Sequence, residues 1–143
     1  MKHLDAIEDI TLDLERCNKV IKENNYLEII IAIEELQDKY KDKIKIKKGI
    51  ELGLQPHLAE SFSGLLKEVP FDFVIGSSHV VHGYDPYYGE FFRGRRESEC
   101  YREYFESILE NLTSFSDMDV YGHIDYVVRY GPNQNREYSY DRY

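Results

Sequence analysis

Three short strand-like segments alternate with helical segments in the later part of the chain. The strand-like segments are IKIKKGIEL (residues 44–52), FDFVIGSSH (residues 71–79) and DMDVYGHIDYVV (residues 117–128). Between them, apolar residues recur at spacings of three and four, which predicts helices over residues 58–69 and 97–115. The apolar face of the second helix is predicted to consist of Tyr101, Tyr104, Phe105, Ile108 and Leu112. Strands that alternate with helices form parallel sheets, because each helix returns the chain to the same end of the sheet. The sequence therefore predicts an α/β fold with a parallel βαβαβ unit.

A helical segment leads into this unit. Apolar residues at helical spacing predict helix over residues 7–21 and over residues 26–40, as two helices or as one that bends at Asn24 and Asn25. The polar and aromatic tail NQNREYSYDRY (residues 133–143) is compatible with the start of another helix. We therefore expect one partial domain over residues 1–143, with a helical lead-in over residues 1–43 and the βαβαβ unit over residues 44–143.

Charge and composition argue against several classes of protein. The formal net charge is −9, whereas nucleic-acid binders hold phosphates with basic surfaces. No run approaches roughly 18 apolar residues, so we expect neither a signal peptide nor a membrane span. Cys17 and Cys100 stand far apart, which predicts no disulfide framework and favours the cytoplasm. A local anion site is still compatible with the later arginines, which are Arg93, Arg95, Arg96, Arg102 and Arg129.

Each strand-like segment carries a candidate metal ligand near its C-terminal end: Glu51, His79 and His123. The carboxyl ends of parallel strands meet at one edge of a sheet, so these side chains should converge across separations of 28 and 44 residues. A single histidine is more often a hydrogen-bonded core residue, but three candidate ligands at equivalent places favour a metal site. A carboxylate with imidazoles suits zinc, manganese or iron, which activate bound water for hydrolysis.

Several stretches of the chain resemble the PHP-type phosphoesterases. They are KIKIKKGIELGLQPH, FDFVIGSSHVVHGYDPYY and DVYGHIDYVVRYG, and the stretch YREYFESILENL is also similar. The motifs fall in the family's order on the expected elements, so the resemblance is specific. It covers residues 26–143 and is greatest to the histidinol-phosphate phosphatases within the family.

The resemblance implies a distorted (βα)7 barrel similar to a TIM barrel, of which the βαβαβ unit is an incomplete arc. It also implies a cluster of divalent metal ions that hydrolyses a phosphate monoester, namely histidinol phosphate in histidine biosynthesis. By motif match, Glu51 takes the role of a metal-bridging carboxylate, and His79 and His123 each coordinate one ion. The expected partner is a small phosphorylated substrate.

Some motifs of the family have no counterpart in this chain. Family members carry an HxH pair on the first strand, a further histidine after the second strand and an Asp-x-His motif on the last strand. Here His3 stands alone in MKHLDA. We therefore expect the chain to be the central portion of a longer enzyme, with only part of the family's ligands.

Other functions are compatible with the same motifs. A PHP phosphoesterase with a different substrate would share the ligand residues. A non-catalytic domain for metal binding, anion binding or assembly would keep the pocket without turnover. Apolar helical faces would also permit self-association.

Further residues are predicted to bind substrate. Arg129 has a planar fork of donors suited to phosphate, with a surface ion pair as the alternative. His82 and Gln55 lie just past two ligand positions, and we expect them to face the same pocket, with simple solvation as the alternative for His82. Asp125 would share the face of His123 if the third segment stays extended.

The long loop over residues 82–96 is also predicted to be functional, because long loops inside compact domains often are. Its tyrosines would turn their rings toward an imidazole, and Asp85 would face an amine. Packing of the tyrosines over the barrel mouth is the alternative.

Overall fold

The computed structural model of the protein describes residues 26–133. The chain divides into two compact units, residues 1–48 and residues 49–143. The helix expected over residues 7–21, Cys17 and the tail from residue 134 lie outside the described residues. None of the helices within residues 26–133 combines the length and the apolar character needed to cross a bilayer.

In the first unit, helix α1 spans Tyr26–Tyr40. Its predicted apolar stripe is confirmed, since Ile30, Ile33 and Leu36 are partly buried and Tyr40 is buried. The backbone amides of Lys43 and Ile44 both donate to the Tyr40 carbonyl oxygen, which closes the end of the helix.

The segment after α1 corrects the sequence prediction. Residues 44–48, where isoleucine and lysine alternate, are not a strand. Instead, Gln37 Nε2 donates to the Ile46 carbonyl oxygen at 3.1 Å, and Lys48 Nζ lies 2.6 Å from Glu34 Oε1. Side chains of α1 thus bind this segment in place of a neighbouring strand, and the alternation alone gave no sign of these contacts.

The second unit contains the predicted parallel sheet, which is confirmed. Its strands are β1 (Gly49–Gly53), β2 (Phe73–Ser77) and β3 (Val120–Tyr121), in the order β1-β2-β3 with both pairs parallel. Helix α2 (Ala59–Glu68) connects β1 to β2, and helix α3 (Glu97–Ser114) lies between β2 and β3. A 3-10 turn at Pro56–Leu58 precedes α2.

The third strand is much shorter than the sequence predicted. Within the predicted third segment, only Val120 and Tyr121 pair with β2, and a short helix α4 occupies Tyr126–Tyr130. The chain turns at His123, whose φ is 26°, and the Tyr126 amide donates to the His123 carbonyl oxygen at 2.9 Å. Residues 123–128 therefore coil away from the sheet, although their branched and aromatic side chains suggested a continued strand.

Two apolar cores support this unit. One face of the sheet packs under α2, with Leu52, Leu54 and Val74 buried against Phe62 and Phe115. The second core joins α3, α4 and the long loop through the buried residues Val81, Phe91, Phe92, Cys100, Tyr101, Tyr104, Ile108, Val127 and Val128.

The apolar face of α3 is confirmed except at its end. Leu112 was expected to be buried but is 40% exposed, and Asn111 is buried in its place. Asn111 follows Ile108 by three residues and so continues the same helical face, where its amide finds a buried hydrogen-bond partner.

The loop over residues 82–96 has local structure of its own. It contains 3-10 turns at Pro86–Tyr88 and Glu90–Phe92. Asp85 accepts a hydrogen bond from the Tyr87 amide at 2.8 Å, which caps the first turn. Phe91 and Phe92 are buried and anchor the second turn in the core.

Candidate metal centre

Strand alternation places Glu51 on the face of the sheet that α2 does not cover. Leu52 and Leu54 are buried under α2, so Glu51 and Gly53 point the other way. Ser77 is the register partner of Gly53 and ends β2, and His79 follows two residues later. His123 follows the last residue of β3 by two. Three neighbouring strands thus each deliver one side chain to the same edge.

The donor atoms of these side chains converge, as the sequence predicted. Glu51 Oε1 lies 3.0 Å from His123 Nε2 and 3.6 Å from His79 Nε2. The two imidazole Nε2 atoms lie 3.1 Å apart. We refer to Glu51, His79 and His123 as the triad.

The geometry of the triad fits a metal ion. Oxygen and nitrogen ligands of a tetrahedral zinc ion lie about 3.4 Å from one another, given bonds of about 2.1 Å. The three observed separations bracket that value. The side chains of Glu51 and His79 are also 44% and 37% exposed. Such openness is typical of catalytic zinc sites, which keep a position for water or substrate.

The chemistry of the triad also favours a cation. A carboxylate oxygen offers only lone pairs, and each imidazole nitrogen offers either a lone pair or one proton. A single proton on His123 Nε2 cannot satisfy Glu51 and His79 together. A divalent cation at the centre satisfies all three atoms at once.

His123 adopts a backbone conformation that non-glycine residues rarely use. Its φ of 26° lies in the left-handed region. Its Nδ1 is buried and finds no hydrogen-bond partner within residues 26–133. Metal-bound histidines usually donate from this second nitrogen to a carboxylate or carbonyl. Backbone strain such as that at His123 persists where surrounding contacts hold the residue in place, and it is common at functional sites.

Tyr126 packs against both histidines of the triad. Its ring centroid lies 5.0 Å from that of His79 and 5.4 Å from that of His123. Its hydroxyl donates to Asp85 Oδ1 at 3.0 Å, and burial together with this carboxylate raises the pKa of Tyr126. Tyr126 therefore stays protonated and links the two imidazoles to the capped turn of the loop.

The local field keeps Glu51 ionised. The nearby Ser77 hydroxyl and the interaction with His123 outweigh partial burial, and together they hold the pKa of Glu51 below its ordinary value. An ionised carboxylate is the form that binds a metal.

Two of the three predicted substrate-binding residues pair with carboxylates in this structure. Gln55 lies in extended backbone two residues past β1. It follows Glu51 by four residues, so strand alternation places the two residues on the same face. His82 pairs with Glu103 at 3.0 Å, and Arg129 Nη2 lies 3.5 Å from Asp125 Oδ1. The roles of Gln55, His82 and Arg129 in substrate binding stay predictions.

The expected placement of Asp125 is wrong. It depended on an extended third segment, but Asp125 lies where the chain enters α4, and its side chain pairs with Arg129 on that helix. Sequence reasoning also missed Tyr126 and the serines before His79. Tyr126 follows His123 by three residues. Side chains three residues apart are neighbours on a helix but not on a strand, and the sequence predicted a strand here.

The chain belongs to the PHP domain family, whose family model matches residues 6–143. This match confirms the resemblance seen in the motifs. The histidinol-phosphatase of Lactococcus lactis subsp. lactis is 36% identical over 117 residues, which cover 81% of this chain and 44% of that protein. The probable histidinol-phosphatase of Clostridium acetobutylicum is 29% identical over 106 residues, which cover 74% of this chain and 41% of that protein. The chain therefore spans less than half the length of these relatives.

A solved structure is similar in sequence and in fold. It is the crystal structure of histidinol phosphate phosphatase from Lactococcus lactis subsp. lactis in complex with zinc, L-histidinol and phosphate. The TM-score is 0.73 at 35% identity, with 82% of this chain and 45% of that chain covered. The parallel sheet described here thus corresponds to part of a larger α/β fold, in agreement with the incomplete barrel predicted from the sequence.

Proposed function

We propose that this chain carries part of the metal centre of a phosphatase and that its substrate is histidinol phosphate. The proposal rests on one observation: the triad converges at the carboxyl edge of a parallel sheet in a PHP-family chain. The two relatives named histidinol-phosphatase support the choice of substrate. The solved relative, which holds zinc, L-histidinol and phosphate, supports it as well.

The triad would hold a divalent ion, and zinc is the first choice because the solved relative contains it. When bound, the ion supplies a Lewis acid that polarises a phosphoryl oxygen and activates water. Glu51 contributes the negative charge, and the two imidazoles contribute neutral nitrogens. The exposed side of the triad gives a phosphate monoester access to this edge of the sheet.

Arg129 is the residue proposed to bind the phosphate. It lies on α4 three residues beyond Tyr126, and Tyr126 contacts both histidines. Its side chain is 53% exposed and its pairing with Asp125 is long, at 3.5 Å. A surface pair of this kind contributes little free energy, so a phosphate dianion can replace the carboxylate.

A row of tyrosine rings is proposed to receive the organic part of the substrate. It begins at Tyr126 and continues through Tyr130 and Tyr87 to Tyr88, with ring centroids between 5.0 and 5.3 Å apart. Tyr87 and Tyr88 are exposed. Aromatic faces attract cationic and imidazole groups, and histidinol carries both an amine and an imidazole.

The test is phosphate release by the full 143-residue chain in the presence of zinc or manganese, with histidinol phosphate and a panel of other monoesters. We expect histidinol phosphate to be hydrolysed fastest and Glu51→Gln to abolish release. We also expect Arg129→Gln to raise KM about tenfold or more, since it removes a charged hydrogen bond. Arg93→Gln, which removes an exposed arginine paired with Glu90, should leave KM unchanged.

Other outcomes separate the alternatives. Faster hydrolysis of another monoester would support a PHP phosphoesterase with a different substrate. Zinc binding without release from any monoester would contradict turnover by this chain and support a metal-binding or assembly domain. Elution as a dimer would support self-association.

A further inference from the structure

The pairing between β2 and β3 ends before the chain reaches His79 and His123. The last register pair between β2 and β3 is Gly76 with Tyr121, and the Gly122 amide donates to the Gly76 carbonyl oxygen at 2.7 Å. His79 lies beyond this last pair, so strand pairing alone does not fix its distance to His123. Another set of contacts must hold the two segments together.

A buried hydrogen-bond node lies at Ser78, directly before His79. Ser78 is fully buried, and its Oγ lies 2.5 Å from the Tyr121 hydroxyl. The same Oγ accepts a hydrogen bond from Asn111 Nδ2 at 2.6 Å. The Ser78 carbonyl oxygen accepts one from the Tyr104 hydroxyl at 2.8 Å. We call these four residues the Ser78 node.

We propose that Tyr121 is a positioning residue, which acts through Ser78 to set the separation of His79 and His123. This inference rests on the proposed metal-binding role of the triad. Tyr121 precedes His123 by two residues, and Ser78 precedes His79 by one. The bond between their hydroxyls therefore joins the two segments just before the residues whose spacing matters.

Helix α3 holds the other side of the node. Asn111 and Tyr104 both belong to this helix, and their side chains are 2% and 0% exposed. They leave Ser78 little freedom to move. The bond between Ser78 and Tyr121 therefore holds the segment that carries Tyr121 at a fixed position relative to Ser78. Hydrogen bonds shielded from water are also stronger electrostatically than exposed ones.

The test compares Tyr121→Phe with Tyr101→Phe in the full chain. Both variants remove one hydroxyl and keep the ring, but the Tyr101 hydroxyl bonds to Glu97. Zinc affinity is measured by competition with a chromophoric chelator, and thermal unfolding is followed in parallel. We expect Tyr121→Phe to weaken zinc binding by up to about tenfold, which is the lower end of the loss when a group bonded directly to a metal ligand is removed. Tyr101→Phe should bind zinc as the unmodified chain does.

A second variant tests the route through Ser78. Ser78→Ala should weaken zinc binding at least as much, because it also removes the acceptor of the Asn111 amide. Adding Tyr121→Phe to it should have little further effect, because Ser78→Ala already removes the bond to Tyr121. The absorption bands of bound Co²⁺ should shift in Tyr121→Phe and not in Tyr101→Phe. Unchanged zinc affinity in Tyr121→Phe, or an equal loss in Tyr101→Phe, would overturn the inference.

A measurement without metal separates this inference from the proposed function. If the unmodified chain binds no zinc, the metal-binding role fails. The positioning role is then decided by NMR of the histidine rings in the metal-free chain. Tyr121→Phe should shift the ring signals of His79 and His123 and leave those of His57 and His82 in place. Unchanged His79 and His123 signals would overturn the positioning role.

Discussion

The Nε2 atoms of His79 and His123 lie 3.1 Å apart, although 44 residues separate the two histidines in sequence. Neighbouring parallel strands bring the two segments together, and the ring of Tyr126 contacts both imidazoles from one side. Glu51 approaches the same nitrogens from β1. Three strands and one helix thus contribute to a site for which the described residues 26–133 supply three candidate ligands.

Removal of the Tyr126 ring should weaken metal binding. The ring packs against both imidazoles, so Tyr126→Ala leaves them free to rotate out of the triad. We expect zinc affinity to fall about tenfold. Tyr126→Phe keeps the packing and loses only the hydrogen bond to Asp85, so its loss should be smaller. Calorimetric titration with zinc checks both variants, and an equal loss in the two would contradict a packing role for the ring.

The convergence of the triad could be predicted because it follows from a general property of parallel sheets. Glu51, His79 and His123 come at or just after strand-like segments, and the carboxyl ends of parallel strands share one edge. Helical periodicity likewise placed α2 and α3 within a residue or two of their observed ends.

The contacts that support the triad could not be predicted in this way. Ser78 meets Asn111 across 33 residues and Tyr121 across 43 residues. No periodicity marks a pair of polar residues that far apart. The turn at His123 was missed for a related reason, because its backbone conformation depends on tertiary contacts rather than on local propensity.

Substitution of two glycines by alanine should change the free energy of unfolding in opposite directions. A Cβ at Gly76 would overlap the Met118 sulfur and lie 2.9 Å from Leu54 Cδ1, in a buried core. Gly76→Ala should therefore lower the free energy of unfolding by about 1–3 kcal/mol. Gly64 lies in α2 with no atom within 4 Å of an added Cβ, so Gly64→Ala should raise that free energy by about 0.5–1 kcal/mol. Urea denaturation measures both, and a stabilised Gly76→Ala would contradict the packing described.

Glu103 should make the stability of the folded chain depend on pH under acidic conditions. Partial burial alone would raise its pKa, but hydrogen bonds from Arg95 and His82 outweigh burial and hold the pKa below the ordinary value of 4.5. A carboxyl group with a lowered pKa in the folded state stabilises the fold above its ordinary pKa. That contribution is lost as the pH falls through the folded-state value.

The corresponding variant is Glu103→Gln. At pH 7 we expect it to be less stable than the unmodified chain by about 0.5 kcal/mol, as is usual for an ion pair that water still reaches. The difference should shrink below about pH 4. Thermal unfolding across this range measures it, with Glu106→Gln on the exposed side of α3 as the control. A difference that grows toward low pH would contradict the assignment.

The zinc content of the purified chain, measured by elemental analysis after dialysis, tests the triad most directly. The comparison is with a triple variant, Glu51→Ala, His79→Ala and His123→Ala, and with a matched triple variant, His57→Ala, Glu60→Ala and His82→Ala. We predict that the unmodified chain and the matched variant retain zinc and that the triad variant does not. Equal zinc content in all three proteins, or none in the unmodified chain, would contradict a metal centre at the triad.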